Sequence, residues 1–471
     1  VLSFLRQNRW LVLSALLCGA ALRLMFILKF AGFDGDPRVY ADIASNWLHH
    51  GIFGVTDQGV PVPTYIRLPG YPAFLAACFV LFHSGDLHNI LFVQMFIDLL
   101  TCLLIAGFAL EWFGDRTAKA ALWFSALLPF TANYVALPLT ETLSIFFTAL
   151  SLFAGARVLR ALDSGVFDRR QCAIAGVACA CNILLRPDGG MVLIAFALMF
   201  GFRWLRSPRR AHIFSAGMLV ALIALAPLAP WTARNWRTFH RFQPLAPRYA
   251  NAPGEYVPMG FIHWCKTWLV DYSSVENVYW QVTTDTASEK ADFTAVPARA
   301  FDSAEQRQTV KQIFDDYNAR SQLSPELDAR FAAVAVERIR QHPIEYFAVF
   351  PALRVLDMWF RPRTEMLPVD HVWWPSDPWE LSVAVGFVTI NAILVLLAVA
   401  GAWRAQKSSG LKLLFVYVLL RSAFLSTMEN PEPRYMLECY PVVVLLAALA
   451  ISELWARMRL VRHPELRTEV L

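Results

Sequence analysis

The sequence predicts an all-α polytopic membrane protein with about ten transmembrane helices, interfacial helices in the first outer loop and a small extracytoplasmic lobe. Three observations carry this reading. Hydrophobic residues make up 57% of the 471 residues and charged residues 17%, against about 25% charge in an ordinary soluble domain. Apolar stretches of roughly membrane-spanning length, about 20 residues, recur along the chain. Lysines and arginines cluster in short loops between alternate pairs of these stretches, as the positive-inside rule requires.

The apolar stretches are 9–30, 88–112, 117–135, 140–162, 171–187, 189–205, 212–232, 380–403, 411–428 and 436–458. The first is too long for a signal-peptide core and lacks a small-residue cleavage site, so it reads as a retained helix. Stretches 171–187 and 189–205 are joined by Arg186-Pro187-Asp188-Gly189, a turn signal, and read as a hairpin. Segment 69–83 is shorter and decides the topology. Leaving it non-spanning, with the N-terminus inside, gathers the basic clusters on the cytoplasmic side. These are Arg6 and Arg9; Arg116 and Lys119; Arg157, Arg160, Arg169 and Arg170; Arg203, Arg206, Arg209 and Arg210; Arg404, Lys407 and Lys412; and Arg457 to Arg467. The short loops opposite hold little beyond Arg186 and Arg434. Both termini are then cytoplasmic. In an inner membrane, the loop 31–87 and the segment 233–379 face outward. The chain divides into a transmembrane core 1–232 carrying that loop, a lobe 233–379, and C-terminal helices with a cytoplasmic tail, 380–471.

Composition also excludes some functions. The net charge of +5 is spread over short clusters, so no nucleic-acid partner is expected. The eight cysteines form no CxxC pair and lie mostly in apolar stretches, so neither a disulfide framework nor a zinc site is expected. His49, His50, His83 and His88 have no regular ligand spacing. In the lobe, amphipathic helices are predicted over 303–320 and 324–341, followed by an aromatic interfacial stretch over 344–361.

The outer loop concentrates polar chemistry. Asp36-Pro37 is a helix start, with Asp36 as N-cap and proline at the first helical position. Tyr40, Ile43 and Trp47 then make an apolar face, and Gly51 ends the helix. An extended stretch follows, then Arg67 and the interfacial helix. Asp36 is read either as a cap or as a general base at the mouth of a membrane cavity, and the two roles are compatible. Asp34 and Asp42 are the other acids, Asp42 expected to face water. Glu141 opens a span, where a carboxylate favours the helix dipole or serves a site. Arg67, Arg234 and Arg434 share the outer side; each is read as an anchor near a span end or as part of a phosphate site, since arginine binds phosphate bidentately. Asp98 lies in mid-span, one turn from Gln94, either functional or bonded to a neighbouring helix.

These motifs resemble the GT-C superfamily of polyprenyl-phosphate-sugar-dependent glycosyltransferases, especially bacterial relatives of the protein O-mannosyltransferases and the aminoarabinose transferase. The signs are Asp36, Tyr40, Ala41, Ile43 and Ala44 in the first-loop helix; Arg67 to Pro72; Glu141; Leu185 to Gly189; Pro230 to Asn235; and Arg434-Tyr435 before the last span. The resemblance implies inverting transfer of a sugar from a polyprenyl-phosphate donor to a glycan, lipid or protein acceptor. It implies Asp36 as catalytic base, Arg67, Arg234 and Arg434 as donor-phosphate ligands, and Glu141, Tyr40, Tyr71 and Asp34 as further site residues. The aminoarabinose transferase carries an acid, associated with a metal, just before its counterpart of Arg67. Here Ile66 stands at that position, so a divalent metal, which the resemblance allows, is not supported by the sequence, and no other cofactor is expected. The rival class, a transporter or flippase, would show paired repeats and broken helices at matching positions, and none is evident.

Overall fold

In lipid the backbone must satisfy its own hydrogen bonds, and the described residues are accordingly mostly helical, with almost no sheet. The computed structural model describes residues 2–283, 290–320, 323–405 and 410–462. Lys407, Arg467 and the tail 463–471, read above as cytoplasmic, lie outside the described residues.

Among the described residues, seven helices are long and apolar enough to cross a membrane: Arg9–Phe30, Leu87–Phe113, Glu141–Asp163, Pro187–Arg206, Arg210–Phe239, Pro378–Ala405 and Pro433–Met458. The three remaining predicted spans are shorter helices, Asp115–Leu127, Arg169–Leu185 and Lys412–Ser426. At 1.5 Å per residue they reach about 20–26 Å, short of the ~30 Å hydrocarbon core. The expected ten thus become seven of full length and three short ones. Gly70–Phe82, with 13 residues, reaches only about 20 Å.

The shortness of Asp115–Leu127 has a cause. Pro129 has no N–H for the carbonyl of Ser125, four residues earlier, so the helix breaks there. Arg23, wholly buried in the first span, takes over: it donates to the carbonyls of Ser125 (3.3 Å), Ala126 (2.7 Å) and Gly19 (2.8 Å). Its remaining charge meets Asp98 at 2.5 Å. Of the two readings of Asp98, the bond to a neighbouring helix is the one observed.

Backbone contacts divide the chain into two units. One is built from the chain up to Pro253, Ala392–Leu420 and the segment that begins at Leu437; the other from Gly254–Asn391 and Arg421–Met436. In the second unit, helices Ala304–Arg320 and Pro325–Gln341 match the two predicted amphipathic helices. Phe350–Phe360 lies in the predicted aromatic stretch. Phe261, Trp264, Trp268, Phe314 and Phe331 make its core. Asp328 accepts from the first backbone N–H groups of Met259–Lys266, those of Gly260 (2.9 Å) and Phe261 (2.7 Å), and so caps a helix other than its own.

Candidate active site in the first outer loop

The loop helix spans Asp36–His50 and ends at Gly51, as expected. Its start differs from the expectation. Gly35 takes φ +71°, a conformation glycine adopts freely, and its carbonyl accepts from Arg38 N (3.1 Å) and Val39 N (3.4 Å). Gly35 is therefore the N-cap and Asp36 the first helical residue, because the left-handed entry moves the cap back by one position. Of the predicted face, Ile43 is buried and Tyr40 half-buried, whereas Trp47 is exposed. Ala44 and Asn46 are buried in addition.

A hairpin of Gly54–Asp57 and Val60–Pro63 follows. Its tight turn places both Gln58 and Gly59 at positive φ, the backbone that matches strand twist in a two-residue loop. Asp42 accepts from Thr56 N (2.6 Å) and its hydroxyl (2.7 Å) in an exposed position, fastening helix to hairpin. Arg234 fastens the hairpin from the other side. Its guanidinium donates to the carbonyls of Phe53 (2.7 Å) and Thr64 (2.6 Å), which flank the two strands. The rings of Phe53, Trp231 and Phe239 lie 5.1–5.4 Å from it. Arg67 follows three residues after Thr64.

The Arg67 guanidinium reaches Asp36 Oδ1 at 2.5 Å; the two side chains are 19% and 37% exposed. Arg67 also lies over the ring of Tyr40, 5.7 Å from its centroid. Tyr40 in turn packs edge-on against Tyr71 at 5.0 Å. Tyr71 donates to Gln94 Oε1 at 2.7 Å, and Gln94 donates to the carbonyls of Val135 and Leu137. Gly70 brings this helix start against the backbone of Leu184 and Leu185, where a Cβ would come within 2.9 Å. The motifs at 67–72 and 185–189 therefore meet, and only glycine allows the approach.

A second group of charges acts on Tyr40. Glu141 opens its span, as predicted, and is buried. Arg186 donates to it at 2.9 Å and to Asp188 at 3.1 Å, with Glu438 Oε1 at 3.8 Å. Ser144 bridges Glu438 (3.2 Å) and Asn182 (2.7 Å). The phenol of Tyr40 feels both groups. Its desolvated surroundings push it up to about 12, and Arg67, Asp36, Glu141 and Arg186 all act on it electrostatically. Burial likewise pushes the Tyr71 phenol well up.

Asp34 pairs with Arg38 at 2.5 Å in full solvent exposure. Arg434 belongs to the second unit, where it meets Glu432 at 2.5 Å. Among the described residues no three His, Cys, Asp or Glu side chains meet as a metal set, and no step below runs through a metal. Sequence reasoning missed Glu438 and treated Arg186 as a turn. The available signal was that Arg186 is one of the few basic residues on the side otherwise almost free of them.

Comparison with known proteins follows this geometry. Residues 62–231 match the sequence model of a family described as dolichyl-phosphate-mannose-protein mannosyltransferase. Among solved structures, the archaeal oligosaccharyltransferase AglB from Archaeoglobus fulgidus, in complex with an inhibitory peptide and a dolichol-phosphate, aligns with a TM-score of 0.56 at 13% identity. That alignment covers 98% of this chain and 51% of that one. The chain has the GT-C fold.

The Archaeoglobus fulgidus enzyme tethered to an acceptor peptide aligns similarly, with a TM-score of 0.53, 13% identity and the same coverage of 98% and 51%. The chain thus spans about half the length of these oligosaccharyltransferases. ArnT from Cupriavidus metallidurans bound to undecaprenyl phosphate aligns at a TM-score of only 0.37, with 14% identity over 95% of this chain and 78% of that one. No curated protein matches significantly. The family segment contains Arg67, Tyr71, Glu141 and Arg186, while Asp36 and Tyr40 precede it.

Proposed function

We propose that this GT-C protein is a glycosyltransferase that moves a sugar from a polyprenyl-phosphate carrier to an acceptor hydroxyl, with inversion, on the extracytoplasmic face of the inner membrane. The observation that carries the reading is the contact between Asp36 and Arg67. A carboxylate able to take a proton and a guanidinium able to hold a phosphate stand side by side, both partly open to solvent.

In this mechanism the acceptor O–H gives its proton to an Asp36 oxygen as the hydroxyl oxygen attacks the anomeric carbon. The bond from that carbon to the phosphate oxygen breaks, and its electron pair leaves with polyprenyl phosphate. Arg67 stabilises the charge that gathers on the phosphate. The base contributes roughly 10²–10⁴-fold. Glu141 supplies a second carboxylate, whose charge acts on the same Tyr40 phenol as that of Asp36. Arg234 braces the hairpin that carries Arg67 rather than binding phosphate itself. Arg434 is assigned no part in this reading.

The test uses the purified protein in lipid vesicles with an envelope extract as acceptor source. It measures consumption of labelled polyprenyl-phosphate sugars, beginning with the mannose donor that the matched family's description names. Asp36→Asn leaves the Gly35 cap untouched and removes the base. We expect consumption of at least one donor by the parent protein, reduced at least 10²-fold in Asp36→Asn at unchanged thermal stability. Equal consumption by both proteins, or consumption of no donor, overturns the reading.

A further inference from the structure

We infer that Arg186 is a positioning residue that acts on the reaction through Glu141. The inference rests on the proposed function and extends it to a residue that neither touches Asp36 nor belongs to the outer loop.

Arg186 follows directly on helix Arg169–Leu185, and its backbone turns extended there, with φ −148° and ψ 137°. This directs the guanidinium into the gap between the start of Glu141–Asp163 and the start of the last span. In that gap it donates through Nη1 to Glu141 Oε1 (2.9 Å) and through Nε to Asp188 (3.1 Å), with Glu438 at 3.8 Å on the same nitrogen. Glu438 is held in turn by Ser144, Ser144 by its bond to Asn182, and Asn182 by its bond to Thr148 at 2.8 Å. The Glu141 carboxylate is thus held by Arg186, which is itself placed between Asp188 and Glu438. Its orientation beside Tyr40 is set by Arg186 and the chain of bonds behind it.

Stability alone accounts poorly for this arrangement. Two carboxylates as buried as Glu141 (2% exposed) and Glu438 (0%) carry a desolvation cost that a buried ion pair often fails to recover, and apolar residues of similar size would serve as well or better. The network is placed where orientation matters. The charges of Glu141 and Arg186 act on the same Tyr40 phenol as those of Asp36 and Arg67. A carboxylate held to one orientation presents its charge in one fixed direction. That is what recognition of a sugar or acceptor hydroxyl needs, and loss of such alignment by about 1 Å can cost 10²-fold in rate.

The test is a double-mutant cycle on kcat in the donor-consumption assay. It uses Arg186→Gln, Glu141→Gln and the pair, with Arg186→Lys as the conservative variant and melting temperature measured for each. Acting through Glu141, Arg186→Gln lowers kcat by about 10²-fold with a smaller change in KM. The double variant is then no slower than Glu141→Gln, since residues working as one unit are non-additive. Arg186→Lys recovers part of the rate, because an ammonium can reach one carboxylate but not span two. Losses that multiply in the double variant overturn the positioning role while leaving Glu141 in the site. A Glu141→Gln variant with full activity overturns the role of Glu141, and with it this inference. If Arg186→Gln does not fold, the Lys variant decides: a parental rate overturns the inference, and an intermediate rate with a normal melting temperature supports it.

Discussion

Two guanidinium–carboxylate pairs in the first unit have the same separation, 2.5 Å, and opposite surroundings. Arg23 and Asp98 are 0% and 3% exposed, and Arg23 is further engaged by three backbone carbonyls. Arg67 and Asp36 are 19% and 37% exposed. The first pair repairs a helix broken by Pro129. The second stands at the mouth of the loop, where water or a ligand can compete for either partner. Burial, rather than the presence of an ion pair, separates these two arginines.

The largest effect should come from breaking the buried pair. Arg23→Met leaves Asp98 charged without its partner and two carbonyls unsatisfied at the helix break. Removing one member of a buried pair typically costs about 3–5 kcal/mol. We expect a sharp fall in melting temperature in detergent or loss of folded protein; a melting temperature within a degree or two of the parent would remove the distinction between the pairs.

A third pair, in the second unit, sharpens the comparison. Asp357 is buried like Asp98, but Arg361 approaches it only to 3.4 Å. Trp373 (2.6 Å) and the Tyr272 N–H (3.3 Å) supply its other hydrogen bonds. Burial wins over these partners and pushes Asp357 up to about 6, from 3.8. The folded state then holds a proton that the unfolded state has already lost between those values. Asp357 therefore favours folding less as pH rises through this window, and above about 6 its full cost is present. Asp357→Asn should flatten this part of the stability–pH curve, read as melting temperature from pH 4 to 7. A parental slope in the variant would show that Asp357 is not the group responsible.

The smallest expected effect concerns the exposed pair. If donor phosphate and Asp36 compete for Arg67, Asp36→Asn frees the guanidinium and undecaprenyl phosphate binds more tightly. The gain is bounded by the worth of a part-exposed ion pair, up to about 1 kcal/mol or roughly fivefold. Fluorescence titration with undecaprenyl phosphate in nanodiscs measures it. Unchanged binding in Asp36→Asn, with binding lost in Arg67→Gln, would mean that Arg67 serves both groups at once.

How much of this was legible in the chain varies by element. Gly51 and the start of the span at Glu141 could be read directly, because helix ends depend on local chemistry. The cap at Gly35 could not be, because a positive φ is invisible where Asp36-Pro37 offers a standard alternative. Arg23 lay in plain view inside an apolar stretch. Its partner Asp98 is 75 residues away, and nothing local joins them. Arg234 looked like Arg67 in the sequence, yet its donors are taken by the carbonyls of Phe53 and Thr64, more than 150 residues earlier.

By itself, the sequence determined that this is a helical membrane protein with its polar chemistry gathered in one loop. Hydropathy and loop charge are sums over neighbouring residues, and they need no knowledge of what packs where. Only the tertiary structure decided which charges meet. It joined Asp36 to Arg67, Arg186 to Glu141 and Glu438, and Arg23 to Asp98, and it gave each pair its degree of burial. Those outcomes depend on contacts between residues far apart in the chain, which also decide whether a guanidinium is buried or partly exposed.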